Sequence, residues 1–384
     1  MLLSHKIALA PTAEQEAYFR RACGTARFVY NWGLDRWKKW YEGWKELSED
    51  QKKTTSKPSK EALGKILRRA VMFNPGWFWL REVDSHIPTG ALRNLGAAFA
   101  NTFRRLKQGQ KPGFPNFKKK GIHDSFYVHN RCMEFNGKRL LLRRGKITGP
   151  TTIKMREVLR FEGKIQGGAI SREADRWFIA VQVEVKDYAK PRTADKKVGI
   201  DLGVLRAVTT SEQGIVYDSP KPLKTMLYRL KRKSRQLTKK KKGSANRERA
   251  RNQLARLHRD IRNIRQDFLH KTTTQLCSEN QAIMIEDLNV KGMLANRRVA
   301  RAIGDIGMFE FRRQLDYKTK IYGSELVVAD RWFASSRTCS KCGSKKDELK
   351  LSERVFRCSS CGLEIDRDLN AAINLLNYPE AQGK

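Results

Sequence analysis

Four cysteines near the C-terminus constrain this chain more than any other feature. Cys339 and Cys342 form one Cys-x2-Cys pair, Cys358 and Cys361 a second, with fifteen residues between the pairs. Two knuckles of that spacing carry four thiolates to the corners of a tetrahedron, an environment that suits one Zn2+ ion. Gly343 and Gly362 follow the pairs, where a tight turn must aim backbone N–H groups at sulfur. A closed four-thiolate site has no open position, so this zinc is read as structural and not as a catalyst. Redox exchange would need a thiol of lowered pKa in a thioredoxin-like unit, which the sequence lacks. The remaining cysteines, Cys23, Cys132 and Cys277, are scattered and read as small core residues in a reducing compartment.

Charge points to the partner. The 384 residues hold 79 Lys plus Arg against 40 Asp plus Glu, a formal net charge of +39. Such an excess calls for a polyanion. The hydrophobic fraction of 40% is enough for real cores, which excludes a disordered basic tail. No apolar run approaches the ~20 residues a bilayer span needs, so no membrane partner is expected. The N-terminal MLLSHKIALAPTA reads as structure rather than a secretory signal, placing the protein in the cytoplasm, associated with the nucleoid.

Positive charge concentrates in residues 221–260, which hold sixteen Lys or Arg against two acids. Lys231, Arg232, Lys233 and Arg235 lead into the unbroken run Lys239, Lys240, Lys241 and Lys242. Leu254, Leu257, Ile261, Ile264 and Phe268 supply a helical core face, leaving the basic side chains free to meet phosphate. Lys118, Lys119 and Lys120 follow Phe114 and Phe117 in a Pro- and Gly-rich loop. That loop offers stacking plus charge to a nucleic acid, or is an ordinary hinge; the pattern does not choose.

Punctuation along the chain divides it. Residues 1–10 read as a strand, and Thr12 with Gln15 is a capping box that starts a helical region running to about residue 103. Trp37, Trp40, Tyr41 and Trp44 share one helical face and read as core rather than base-stacking platforms. The polar stretch 48–60 reads as a loop. After residue 108, short alternating segments such as WFIAVQVEV indicate an antiparallel β module. From residue 197 the predicted order is three strands, helix, strand, helix, strand, insert and helix, the ribonuclease-H arrangement.

Three acids fall at sensitive places in that order. Asp201 ends the strand in VGIDLG, Glu286 ends AIMIE, and Asp368 opens the final helix DRDLNAAINLL. Each alone would read as a cap or a solvated group. Together they fit the carboxylate set that holds two Mg2+ ions for phosphodiester cleavage. Asp366 competes with Asp368 but sits where an N-cap belongs, whereas Asp368 borders the stripe Leu369, Ala372, Ile373 and Leu376. Between Glu286 and Asp287 the pattern favours the first only weakly.

The runs VGIDLG, IEDLNVKGM and ASSRTCSKCG with FRCSSCG and DRDLNAAINLL resemble the TnpB proteins of bacterial insertion sequences. The N-terminal APTAEQEAYFRRACGTARFVYNWGL and the central PGFPNFKKKG extend the resemblance over nearly the whole chain. It implies a multidomain α+β protein: a helical recognition domain and a β-barrel wedge domain, then an RNase H-like (RuvC) α/β nuclease domain with an inserted zinc ribbon. The corresponding segments are 1–11 for the first wedge strand, 12–107 for the recognition domain, 108–190 for the rest of the wedge, and 191–384 for the nuclease with its ribbon at 335–365. It further implies an endonuclease directed by a transposon-encoded guide RNA, cutting double-stranded target DNA beside a short transposon-associated motif. By motif match Asp201, Glu286 and Asp368 take the catalytic, magnesium-binding positions, and the four cysteines the zinc site. A transposase joining DNA ends, or a non-cleaving guided regulator, remains the competing reading.

Overall fold

A computed structural model describes residues 1–145, 147–213, 215–349 and 353–378, which form two compact units, Met1–Asp187 and Tyr188–Lys384. Gly214 of the expected hairpin, residues 350–352 of the expected ribbon and residues 379–384 lie outside the described set.

The first unit opens with strand β1 (Leu2–Ala10) and helix α1 (Ala13–Lys45). Thr12 caps α1 through the Gln15 N–H, and the Gln15 side chain accepts in return from the Thr12 N–H. Down α1, Tyr18, Phe19, Ala22, Val29, Leu34 and Trp37 are buried, and Trp37 stacks on Phe99 with ring centroids 4.1 Å apart. Trp37 is therefore core and Trp40 packs against that core, while Tyr41 and Trp44 are half-buried. Residues 48–60 are not wholly a loop: helix α2 (Glu49–Thr54) occupies part of them. Ser48 and Gln51 form a second capping box, which satisfies the exposed N–H groups of this short turn of helix. Helices α3 (Lys60–Phe73) and α4 (His86–Lys107) complete the helical part.

The sheet of this unit adds β2 (Ser125–Val128), β3 (Met133–Asn136), β4 (Arg139–Arg143), β5 (Pro150–Met155), β6 (Lys164–Glu173) and β7 (Arg176–Glu184). Its order is β2-β6-β7-β1-β5-β4-β3, antiparallel at every junction. The first strand of the chain thus lies at the centre, and the helices are an insertion between it and β2. The expected barrel is corrected here, because the described strands form an open sheet. The edge strands β2 and β3 are only four residues long, and a single 3-10 turn, Asn130–Cys132, sends them toward different neighbours.

The second unit contains β8 (Lys196–Asp201), β9 (Val208–Thr210), β10 (Val216–Tyr217), α5 (Pro222–Thr238), α6 (Ala245–Glu279) and β11 (Asn280–Glu286). Then come α7 (Val290–Ala295), α8 (Ala300–Ile306), α9 (Met308–Tyr322), β12 (Glu325–Ala329), β13 (Val355–Arg357), β14 (Glu364–Asp366) and α10 (Arg367–Leu376). The five-stranded sheet runs β10-β9-β8-β11-β12, with β8, β11 and β12 parallel and the first two junctions antiparallel. Strands buried on both faces read as unbroken apolar runs, which explains AIMIE. Val198, Ile200, Ile283 and Ile285 pack on one face with Phe311 and Leu315 of α9. Ala282 and Met284 pack on the other face with Leu375 of α10.

Gly199 sets the approach of that last helix. A Cβ at Gly199 would lie 2.0 Å from Ala372 O and 2.5 Å from Leu376 N, so any other residue would push α10 off β8.

Candidate functional site

Strand alternation decides what faces α10. Side chains two apart share a face, so Asp201 follows Gly199, and Glu286 follows Ala282 and Met284, toward the helix. Asp368 sits in the first turn of α10 and is 8% exposed. The loop after β8 runs beside it: a Cβ on Gly203 would lie 4.0 Å from Asp368 Oδ2. The three acids, remote in sequence, therefore share one corner of this unit. Burial, with the Glu286 and Asp368 charges next, holds the Asp201 carboxyl well above the usual carboxylate range. Burial also raises Glu286, opposed by a hydrogen bond from the Ser335 hydroxyl. Among the described residues the three carboxylates do not all come within 4.8 Å of one another.

Neighbouring acids are occupied elsewhere. Asp287 accepts from Arg312 and Arg331, whose hydrogen bonds lower its pKa. Asp366 caps α10, accepting from the Asp368 N–H at 3.0 Å and the Leu369 N–H at 3.1 Å, and its other oxygen pairs with Arg206 at 2.9 Å. Arg367 approaches Asp368 at 3.5 Å.

The cysteines converge as their spacing demands. The Sγ atoms of Cys339 and Cys361 lie 3.6 Å apart, as do those of Cys342 and Cys358, and the four fall within 4.8 Å of one another. A tetrahedron with metal–sulfur bonds of about 2.3 Å has an edge of about 3.8 Å, so the thiolates fit such an ion. Gly343 at φ +77° and Gly362 at φ +71° make the knuckle turns that L side chains resist. The Ser344 hydroxyl, with backbone N–H groups, pushes the Cys358 thiol down, while burial and the neighbouring cysteines push Cys361 up. Strands β13 and β14 pair antiparallel between the two cysteine pairs and α10.

A third potential ligand group went unseen in the sequence. Asp84, His86 and Cys132 bring donor atoms within 4.8 Å of one another in the first unit. Here, however, Asp84 Oδ1 caps the turn through the His86 N–H at 2.9 Å, and burial holds the Cys132 thiol protonated, up to about 11.

Basic candidates divide by exposure. Helices α5 and α6 form a hairpin whose α5 start is pinned by buried Asp305, accepting from the Leu223 and Lys224 N–H groups at 2.9 Å each. Leu257 and Ile261 are buried, and Lys231, Arg232, Arg235 and Lys239, Lys240, Lys241 and Lys242 stand exposed. Lys233 is half-buried and donates to Gln253. In the other loop Lys119 and Lys120 are exposed, but Lys118 is half-buried with its ammonium 4.3 Å from the Tyr30 ring centroid. Burial lowers its pKa. No helix among the described residues is long and apolar enough to cross a membrane.

Fold and site together define a class: mixed α/β proteins with a four-cysteine ribbon ahead of the last helix and acids gathered beside that helix. A protein of Streptomyces pristinaespiralis named "Putative RNA-guided DNA endonuclease" is 37% identical over 95% of this chain and 86% of its own length. The chain belongs to the TnpB family. An Escherichia coli relative, "Putative RNA-guided DNA endonuclease InsQ", is 28% identical over 98% of this chain and 92% of its own. Family profiles described as "Probable transposase", "Cas12f1-like, TNB domain" and "Helix-turn-helix domain" match residues 180–297, 309–375 and 1–45. Residues 1–45 nevertheless form one strand and one continuous helix here. Among solved structures, a Cas12f1-sgRNA-target DNA complex superposes with a TM-score of 0.59 at 16% identity, over 96% of this chain and 84% of that one. At that identity the likeness speaks to the fold alone.

Proposed function

We propose that the chain is an RNA-guided DNA endonuclease whose second unit is an RNase H-like (RuvC) nuclease. One observation carries this reading: acids from β8, β11 and α10 share a corner in which Glu286 and Asp368 add to the cost of ionising buried Asp201. Asp201, Glu286 and Asp368 would hold two Mg2+ ions, and the four cysteines one structural Zn2+. When bound, the magnesium ions supply a polarised water and charge relief at the leaving oxygen. The protein's part is placement: β8 and β11 fix two carboxylates, and Gly199 lets α10 bring the third. Arg367 and Arg206 add positive charge beside a corner that must accept a phosphodiester.

The partners proposed are a transposon-encoded guide RNA and double-stranded target DNA, met in the cytoplasm at the nucleoid. Sequence reading would fall to base pairing, leaving backbone contacts to the exposed lysines and arginines of the α5–α6 hairpin and to Lys119 and Lys120. The first unit is proposed as recognition helices inserted in a wedge sheet. The test is a plasmid carrying the target, mixed with the ribonucleoprotein and Mg2+. Broken ends are expected, with the rate falling on the order of a hundred- to a thousandfold in Asp201→Ala. Ends joined to other DNA would indicate a transposase, and bound but whole DNA a regulator.

A further inference from the structure

A chain of buried polar side chains joins the ribbon to the carboxylate corner. Ser335 is 2% exposed, and its hydroxyl donates to Glu286 Oε1. Its carbonyl accepts from Asn374 Nδ2 at 2.8 Å. The same Asn374 amide donates to Thr338 O at 2.6 Å, and Asn370 Nδ2 donates to that oxygen at 2.8 Å. Asn370 Oδ1 accepts from the N–H of Ser340, the residue directly after Cys339, at 2.9 Å. Asn370 is fully buried and Asn374 is 7% exposed. Both lie on α10, two and six residues beyond Asp368.

The intervening turn is tight. Ala334 O accepts from the Thr338 N–H at 3.1 Å and from the Thr338 hydroxyl at 2.9 Å. Ser335 is thus fixed from both sides, by the first knuckle of the ribbon and by the helix that carries Asp368. Burying this many polar groups is costly unless each is bonded, and a bonded network of this kind holds one geometry. A simple helix-to-sheet contact would be served as well by apolar residues at these places.

We propose that Ser335 is a positioning residue for Glu286, and that the filled cysteine ribbon, clamped to α10 by Asn370 and Asn374, holds it there. The ribbon thereby sets the divalent-cation affinity of the carboxylates. The proposal rests on the reading of Asp201, Glu286 and Asp368 as cation ligands. With one oxygen held by the serine, the other oxygen of Glu286 is kept free and oriented. Partners that orient a metal ligand in this way typically change metal affinity about 10- to 100-fold when removed.

The experiment measures Mn2+ binding to the full ribonucleoprotein by electron paramagnetic resonance and, on the same particle, plasmid cleavage across a Mg2+ series, with the binding and cleavage midpoints expected to move together. Ser335→Ala is expected to raise the half-saturating Mg2+ concentration about tenfold while cleavage at saturating Mg2+ recovers most of its rate. Ser335→Thr, which keeps the hydroxyl, is expected to restore the parental midpoint. Asn374→Ala leaves the serine in place but loosens the clamp, and it is expected to shift the midpoint in the same direction. Combined with Ser335→Ala it should add little, since both act on one carboxylate. If Ser335→Ala fails to fold, Asn374→Ala carries the test alone. A parental Mg2+ midpoint in Ser335→Ala, or in Asn374→Ala, overturns the proposal while leaving the nuclease reading intact. Undiminished cleavage by Asp201→Ala would instead overturn that reading.

Discussion

The second unit holds two ligand clusters of opposite kind. The four thiols come from two short knuckles and lie within 4.8 Å of one another. The three carboxylates come from two strands and a helix and stay farther apart, with Asp201 pushed toward its neutral form. The contrast separates two tasks. On the proposed reading the ribbon would need its metal to hold shape, whereas the acid corner is shaped by the surrounding fold and would have its charge offset by bound cations. Charge crowding of that kind is common at sites built to act, not to stabilise.

The contrast is broken most strongly through the thiolates. Cys339→Ser is expected to release the metal, detected by a chromogenic zinc assay, and to strip amide-exchange protection from β13 and β14. Structural zinc contributes folding energy outright in small metal-held units. Retained zinc and protected amides would show that the ribbon stands without a closed four-thiolate site.

A second effect concerns the exposed charge at the tip of the α5–α6 hairpin. Replacing Lys239, Lys240, Lys241 and Lys242 with alanine is expected to reduce the slope of log affinity against log salt for guide RNA by about 3. That follows from about 0.7 per single-strand phosphate contact. An unchanged slope would mean this run is a solvated helix end.

A smaller effect sharpens the electrostatic side. Burial and its acidic neighbours raise the folded-state pKa of Asp201, so its contribution to stability is present at low pH and is lost as pH rises through that value. The cation-free protein and Asp201→Asn should therefore melt closer together in mildly acidic buffer than at neutral pH. Asp201→Asn should melt higher than the parent at neutral pH, by about 2–4 °C, and lose that advantage as pH falls. Calorimetry in a chelating buffer measures both, and a lower melting point for Asp201→Asn would remove the charge crowding from the account.

How much of this was legible depended on distance along the chain. The cysteine knuckles are local, so spacing alone placed them. The helical core face of Trp37 and the cap at Asp366 were also local and readable. Glu286 against Asp287 was not settled by the strand pattern, although Gly199 held the signal. A glycine two positions before Asp201 marks the face where a helix presses on the sheet, and β11 must turn its acid to that same face. The capping box at Ser48 and Gln51 was overlooked inside a polar stretch. The barrel was over-read because closure depends on pairing between β2 and β3, which no local pattern encodes. Ser335 had no sequence signal at all, since its role exists only through contacts with Glu286 and Asn374.

The central claim is that Asp201, Glu286 and Asp368 form one cation site, with Asp287 outside it. Mn2+ binding, counted by electron paramagnetic resonance on the ribonucleoprotein held with a phosphorothioate target, addresses it most directly. The account predicts that Asp201→Asn loses the bound ions and that Asp287→Asn keeps the parental number. Loss in Asp287→Asn, or full occupancy in Asp201→Asn, would contradict it.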